Sequence, residues 1–408
     1  MIEKFLVPEL DKEYLALKLN NIRYPSEYEG PSVGWKCGTP AWAVKDMIEA
    51  WKTTYSWETS RAEINSWHHY KTLIHGLNIH FIHETSADPK ATAIILIHGW
   101  PSTFYEFHKM IEPLRDQAFH VVVPSLPGYG FSDPPKRPGE GTTAQFSEIM
   151  HKLMTELGYN KYMVYGTDWG ATIGQQMSQN NPAHALGFIT NMPAIFPPLP
   201  TLSNILHYPL QVSKFLLSLV VGSGKVYGPE AAALETFTFA NVDVNQDAAY
   251  RAIQSARPYT LAFGLTDSPV GLLGWMLEPY HAWTYHPSEE AIHSLPDTVT
   301  TDEFLTQVTL YWMTNTMASS YRIYHEFVAE MKTIKPFKFT VPFAVSYFKK
   351  EAVKFPREWL EISITNLIQL KNHDKGGHFP ALEQTDLLLE DILEFRSTLE
   401  TNSKKKDI

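Results

Sequence analysis

The pentapeptide Gly166-Thr167-Asp168-Trp169-Gly170 sets one carboxylate among small residues where two unlike segments meet. Tyr162-Met163-Val164-Tyr165 before it is a short apolar run that reads as a buried strand, and Ala171 to Met177 after it reads as the start of a helix. Strand, sharp turn and helix with one reactive side chain at the turn make a nucleophile elbow, here with aspartate as the nucleophile. The glycines are needed because such a turn is strained and the helix packs close to the strand. At a helix N-terminus the Asp168 carboxylate stays ionised, since the dipole and the free N–H groups favour an anion. Alone, the same five residues also read as a surface Gly-Asp turn, so their companions decide.

Two further stretches fall where such a nucleophile needs them. His98-Gly99-Trp100-Pro101 follows directly on the apolar run Ile94 to Ile97, about 70 residues ahead of the elbow. In hydrolases with this elbow, the loop after that strand supplies one backbone N–H of an oxyanion hole, and the residue after the nucleophile supplies the other. Those donors are here the amides of Trp100 and Trp169; Pro101 has no N–H and fixes the chain just beyond. Gly376-Gly377-His378-Phe379-Pro380, shortly after the last apolar run, offers His378 as a base in the order nucleophile, acid, base. His373, five residues earlier, is its rival. The base needs a carboxylate to hold its tautomer and stabilise the imidazolium. Glu351, after the run ending near Ser346, is the candidate acid. Asp374 lies only four residues before His378, too near for the loop to fold back, and the stretch Asn191-Met192 has no carboxylate.

The elements that position these groups follow from the pattern of apolar runs. From Thr92 onward such runs alternate with helical segments: Ala93 to Ile97, His120 to Val123, Tyr162 to Tyr165, Phe188 to Asn191, Val341 to Ser346 and Leu367 to Leu370. Fully apolar strands alternating with helices imply an α/β fold with a mostly parallel central sheet covered on both faces. Between Asn191 and Lys335 the strands stop and Pro, Trp, Tyr and helical patterns take over. Residues 196–335 therefore read as a helical cap inserted between a first half (91–195) and a second half (336–408) of one core, over the sheet edge where ligands bind. Residues 1–90 form an N-terminal region packing on the core. Up to about residue 70 it shows helical spacing, and Leu73 to His83 reads as two strands joined around Gly76-Leu77-Asn78. His68, His69, His75, His80 and His83 crowd this region; with Glu84 the only adjacent carboxylate and no cysteine near, they read as alternation along exposed strand faces and not as a metal site.

Composition excludes several classes. The 408 residues are 44% hydrophobic and 13% aromatic, which fits a globular enzyme that buries a sizeable core. A net charge of −10 argues against nucleic acid or an anionic membrane as the main partner. The single cysteine, Cys37, rules out a disulfide framework or a multi-thiolate metal site. Met1-Ile2-Glu3-Lys4-Phe5 has no apolar core of a signal peptide, Phe215 to Val221 is too short to span a bilayer, and Lys404-Lys405-Lys406 reads as a charged tail. A cytoplasmic protein without a membrane anchor, cofactor or metal is expected, and a homodimer is left open.

With these residues in hand the chain resembles the epoxide hydrolases of the microsomal type, in the α/β-hydrolase superfamily, over nearly its whole length. The similarity is carried at the N-terminus by Arg23-Tyr24-Pro25, Tyr55-Ser56-Trp57 and Ile74 to His83. In the cap it is carried by Arg257-Pro258-Tyr259-Thr260, Asp267 to Leu272 and Leu310-Tyr311-Trp312. The resemblance implies an α/β-hydrolase fold with a helical cap and an N-terminal epoxide-hydrolase extension. It also implies two cap tyrosines that hold the epoxide oxygen: the one preceding the Arg-Pro-x-Thr stretch falls on Tyr250, and the one following Leu-Tyr-Trp falls on Tyr324. Singly, two tyrosines among 20 would read as packing residues, with Tyr259, Tyr311 and Tyr321 as neighbours to compare. Thr167 and Ser102 stand where the family usually has glycine. Many microsomal members carry an N-terminal anchor; this chain looks closer to the soluble, fungal-type relatives.

The expected chemistry is attack by Asp168 on an epoxide carbon, with Tyr250 and Tyr324 donating to the ring oxygen, to give an ester on Asp168. His378, oriented by Glu351, then activates water to hydrolyse that ester, and a vicinal diol leaves. The aromatic cap residues Trp275, Trp283, Trp312 and Phe263 point to an apolar pocket and a lipophilic epoxide, met in detoxification or in a biosynthetic pathway. The competing readings are a haloalkane dehalogenase-like hydrolase, a serine-type esterase, which Asp at 168 disfavours, and a catalytically silent ligand-binding protein.

Overall fold

The computed structural model describes residues 1–28, 34–232, 234, 249–288, 293–334 and 338–406. Nine strands form one sheet: β1 (Glu3–Phe5), β2 (His69–Ile74), β3 (Leu77–Glu84), β4 (Thr92–Ile97), β5 (Phe119–Pro124), β6 (Tyr162–Gly166), β7 (Ala185–Thr190), β8 (Phe343–Tyr347) and β9 (Leu367–Asn372). Their order is β1-β2-β3-β5-β4-β6-β7-β8-β9. The first three strands join antiparallel, and every pairing from β5 to β9 is parallel.

The central strands are apolar throughout because both faces are covered. Ile95, Ile97, Val122, Val164 and Phe188 pack on one side with Ile149 and Met150 of the helix Thr143–Glu156 and with Ile173 and Met177 of the helix Trp169–Asn180. Their strand neighbours Ile94, Leu96, Val121, Val123, Met163 and Ile189 pack on the other with Met110 and Leu114 of the helix His108–Asp116 and with Leu388 and Ile392 of the helix Thr385–Lys406. Alternate residues of one strand thus belong to two cores, as a period of two requires.

Between β7 and β8 every described element is helical, from Leu202–His207 to Arg322–Glu330. The N-terminal helices lie against these as well as against the sheet. Thr39 Oγ1 donates to the Gly274 carbonyl at 2.8 Å, Ser60 and Thr306 share a hydroxyl hydrogen bond of 2.9 Å, and the Tyr14 ring stacks on Trp312.

Several local expectations change. β1 has three residues, too few to show alternation in the sequence, and exists because it pairs with β2. The β2–β3 turn falls on His75-Gly76, both at positive φ, and Leu77 already belongs to β3. The histidines of β2 and β3 are not on exposed faces: His69 and His80 are buried. His69 Nε2 bonds the Ile64 carbonyl, His69 Nδ1 lies 2.9 Å from His80 Nε2, and His80 Nδ1 lies 2.8 Å from Ser125 Oγ. Burial pushes His69 down to about 4, so this row is a neutral hydrogen-bonded relay. Among the described residues no cluster of His, Cys, Asp and Glu could hold a metal, and no helix is long and apolar enough to cross a membrane.

Close packing at the elbow gives a test. A Cβ on Gly170 would overlap the backbone carbonyl of Ile97, whereas one on Gly264, in the helix Pro258–Asp267, would meet nothing within 4 Å. Gly170→Ala is expected to lower unfolding stability by about 3 kcal/mol, at the upper end of overpacking. Gly264→Ala should raise it by about 0.5–1 kcal/mol through helix propensity. Urea denaturation of the two variants checks both signs.

Candidate active site

Asp168 lies two residues after the end of β6, at φ +50° and ψ −125°, and the helix Trp169–Asn180 starts at the next residue. This left-handed conformation is costly for a residue with a Cβ and persists only because the surroundings fix it. Gly99 is part of that fixing: a Cβ there would overlap the Asp168 carboxylate. The Trp100 amide donates to Asp168 Oδ1 at 2.7 Å, while Trp169 opens the helix, where N–H groups lack intrahelical partners. The loop carrying Trp100, whose bond to Pro101 is cis, is pinned by His98. His98 Nδ1 donates to the Gly99 carbonyl at 3.0 Å, and its Nε2 accepts from the Leu126 amide at 3.2 Å. Burial pushes His98 down to about 4, which keeps the ring in the neutral form those two bonds require.

His378 reaches the same edge from the loop after β9. Its Nε2 lies 3.5 Å from Asp168 Oδ2 and its Nδ1 lies 2.8 Å from Glu351 Oε1. Glu351, after β8, is fully spoken for: Oε1 also accepts from the Ala352 amide at 2.8 Å, and Oε2 accepts from Asn191 Nδ2 at 2.6 Å. The Tyr165 hydroxyl in turn donates to Asn191 Oδ1 at 3.1 Å. Burial works against a charged ring at His378, but the Glu351 and Asp168 carboxylates outweigh it and hold the pKa well above the usual histidine range. His373, the rival base, pairs instead with Asp391 at 2.7 Å, and Asp374 is exposed.

Tyr250, on the helix Ala249–Ala256, stacks its ring on Trp100. Tyr324, on the helix Arg322–Glu330, stands edge-on to Trp169 and to Tyr250. The Tyr324 hydroxyl is buried and makes no hydrogen bond to the described residues. Burial first, and the Asp168 charge among lesser causes, pushes both phenols up, so both remain protonated donors. With Asp168 and His378 they line a cavity of about 930 Å³, at the large end of the usual 300–1,000 Å³ range. Its walls are mostly apolar, with Ile195, Phe196, Trp283, Phe327, Met331 and Phe355 among them.

Of the four cap aromatics expected around a pocket, only Trp283 lines this cavity. Phe263 is 79% exposed, Trp275 donates to Gln254, and Trp312 stacks on Tyr14. An apolar helix face is visible in a sequence, but which cavity it meets is not. The comparison tyrosines are placed elsewhere: Tyr311 donates to the Ser102 carbonyl, Tyr321 to that of Pro258, and Tyr259 is exposed. Thr167 and Ser102 are buried and do not line the cavity.

Two groups at the site escaped the sequence reading. Asn191 sits in the stretch dismissed for lacking a carboxylate, yet it is the amide that orients Glu351. Glu383, buried five residues after His378, accepts from the Phe379 amide at 3.2 Å and from the Tyr285 amide at 2.8 Å. Burial pushes its carboxyl up to about 7 against those backbone donors. Together with the 2.9 Å bond from the His378 amide to the Trp283 carbonyl, it ties the base loop to the cap. The only sequence signal for Glu383 is an acid one helical turn beyond the Gly-Gly-His stretch.

Comparison with known proteins agrees with this fold. The family model "Epoxide hydrolase N terminus" matches residues 3–107, and "alpha/beta hydrolase fold" matches residues 92–226. Epoxide hydrolase 1 of Sus scrofa is 32% identical over 381 residues, covering 88% of this chain and 80% of its own. The chain belongs to the epoxide hydrolase family. The crystal structure of juvenile hormone epoxide hydrolase from the silkworm Bombyx mori superposes with a TM-score of 0.82 at 29% identity, covering 99% of this chain and 96% of that one. The Aspergillus niger epoxide hydrolase gives 0.80 at 27% identity, covering 98% and 97%. Both share the α/β-hydrolase architecture with its N-terminal region.

The charge arrangement predicts a pH effect on stability. His378 has a native pKa above its unfolded value of about 6.5, so its contribution is complete below that value and is lost as pH rises through the native one. Asp168→Asn removes one of the two carboxylates that raise it. The stability advantage of wild type over this variant should therefore be greatest below pH ~6.5 and shrink on the alkaline side. Urea midpoints at acidic and alkaline pH measure it.

Proposed function

We propose that this epoxide hydrolase opens a lipophilic epoxide through a covalent ester on Asp168. The reading is carried by one observation: a carboxylate at the elbow, with one oxygen held by the Trp100 amide, shares its cavity with two protonated phenols, Tyr250 and Tyr324. With Oδ1 so held, Oδ2 is the attacking atom. As it bonds to the epoxide carbon, the C–O bond breaks and the phenols donate to the developing alkoxide. A haloalkane has no such oxygen to receive them, which disfavours the dehalogenase reading.

Ester formation also changes the electrostatics of the base. Once Asp168 is an ester its negative charge is gone, and one of the two carboxylates raising the His378 pKa is lost. The ring then gives up its proton to the alkoxide held by the phenols, which becomes the hydroxyl of the ester, and the neutral ring can take a proton from water. The 3.5 Å between Nε2 and Oδ2 marks the side from which water attacks the ester carbonyl. The resulting oxyanion forms on Oδ1, against the Trp100 amide, with the Trp169 amide as second donor. Collapse breaks the bond from the carbonyl carbon to Oδ2, which takes the proton from His378 and leaves as a hydroxyl of the diol.

A single turnover in ¹⁸O water tests the covalent step. The first diol should carry the unlabelled Asp168 oxygen, with solvent label left in the protein; solvent oxygen in the first diol would exclude the ester. In His378→Gln the ester should accumulate as a protein mass increase equal to the epoxide. Tyr324→Phe, which removes one of two donors, should lower the rate of ester formation by about 10²-fold, the low end of acid-catalysis effects. Rapid-quench mass measurement follows both variants.

A further inference from the structure

A line of hydrogen bonds joins the two helices that carry the reacting groups. Asp168 opens the helix Trp169–Asn180, and Tyr324 sits on the helix Arg322–Glu330. Between them stands the N-terminus of the core helix Thr143–Glu156. Gln176 Nε2, from the Asp168 helix, donates to Thr143 Oγ1 at 2.7 Å, and that hydroxyl donates in turn to Glu330 Oε1 at 2.9 Å. Glu330 Oε1 also accepts from the Ala144 amide at 3.0 Å, and Oε2 accepts from the Thr143 amide at 2.9 Å. The free N–H groups at the start of a helix, together with its dipole, make a favourable seat for a carboxylate. Glu330 is the last residue of its own helix, where the dipole disfavours an acid. Local helix chemistry therefore gives no reason for a glutamate at this position, and the contact with the core does.

We propose that Glu330 is a positioning residue for ring opening, which sets through its helix where the Tyr324 hydroxyl stands relative to an epoxide at Asp168. The inference rests on the Asp168 chemistry proposed above. The helix Arg322–Glu330 turns one face to the core, with Arg322, Glu326 and Glu330 four residues apart. Arg322 Nη1 donates to the Pro135 carbonyl at 3.1 Å, and Glu326 Oε1 accepts from the Gly139 amide at 3.0 Å, both in the loop between β5 and the helix Thr143–Glu156. At 3.6 residues per turn Tyr324 leaves the helix from the other side, where it lines the cavity. Packing of Tyr324 and Phe327 on the Trp169 ring also joins the phenol helix to the Asp168 helix. Ring contacts are non-directional, however, whereas three hydrogen bonds to one carboxylate fix both distance and orientation.

The test follows ester formation by rapid-quench mass measurement in the His378→Gln background, where the ester persists. Glu330→Ala should slow this step about tenfold, within the roughly 10²-fold that a misplacement of about 1 Å can cost. Glu330→Gln, the milder change, keeps one acceptor oxygen and should lose less. In Tyr324→Phe, which has no hydroxyl to place, Glu330→Ala should lose most of its effect, since residues that act through one another give non-additive losses. With His378 intact, decay of the ester should keep its wild-type rate in Glu330→Ala, because the base loop is tied to Trp283 and not to this helix. Unchanged ester formation in Glu330→Ala, an equal loss with and without the Tyr324 hydroxyl, or an equal slowing of ester decay would overturn the inference while leaving the Asp168 mechanism standing. No mass increase in His378→Gln alone would overturn both.

Discussion

Two carboxylates, Asp168 and Glu351, face one imidazole from opposite sides, at 3.5 and 2.8 Å. Most of the polar architecture around the site serves that arrangement. Glu351 is almost wholly buried, and its two oxygens are taken up by the imidazole, the Ala352 amide and the Asn191 side chain. Asn191 can donate to Glu351 only because Tyr165 satisfies its carbonyl end, which fixes which way the amide points. Asp168 is held more lightly, by one backbone amide and by the distant Nε2. That asymmetry suits the roles proposed for them, since a carboxylate that is to react should not be saturated with hydrogen bonds.

Groups close to this charged trio are kept neutral. His98 lies beneath the oxyanion loop and stays uncharged, because its two bonds, one donated and one accepted, are those of the neutral ring. Glu106, on the short helix Phe104–Phe107, is fully buried, and burial pushes its carboxyl up to about 8. A third ionised carboxylate there would add to the negative potential at His378 and raise the cost of releasing its proton. Held protonated, it leaves the balance between Asp168, His378 and Glu351 undisturbed. In the proposed chemistry the groups that act as charges are therefore Asp168, His378 and Glu351.

What could be read from the sequence was whatever the backbone itself enforces. The elbow, the His98-Gly99-Trp100-Pro101 loop and the Gly376-Gly377-His378 loop each follow an apolar strand, and in a parallel sheet strand ends converge on one edge. Asp168, Glu351 and His378 were legible for that reason, and the tyrosines only through likeness to a family. Asn191 and Glu383 were not, because their importance lies in partners 160 and 98 positions away in the chain. The histidines of β2 and β3 were misplaced on exposed faces because the helix Trp57–Ile64 and the Ser125 turn, which bury them, lie outside any local window. Trp275, Trp312 and Phe263 show the same gap: aromatic content reports that surfaces are covered, not which ones.

In the proposed mechanism the cap contributes in two ways that share one set of contacts. It supplies the phenols, and it also holds the base, through the Trp283 carbonyl on the His378 amide and through the Tyr285 amide on Glu383. A cap hinged freely over the sheet would move the phenols and the base together, away from an aspartate anchored in the core. The N-terminal region bridges the two, because its strands extend the sheet while Thr39, Tyr14 and Ser60 contact cap helices. It therefore contacts both the sheet that carries Asp168 and the helices of the cap.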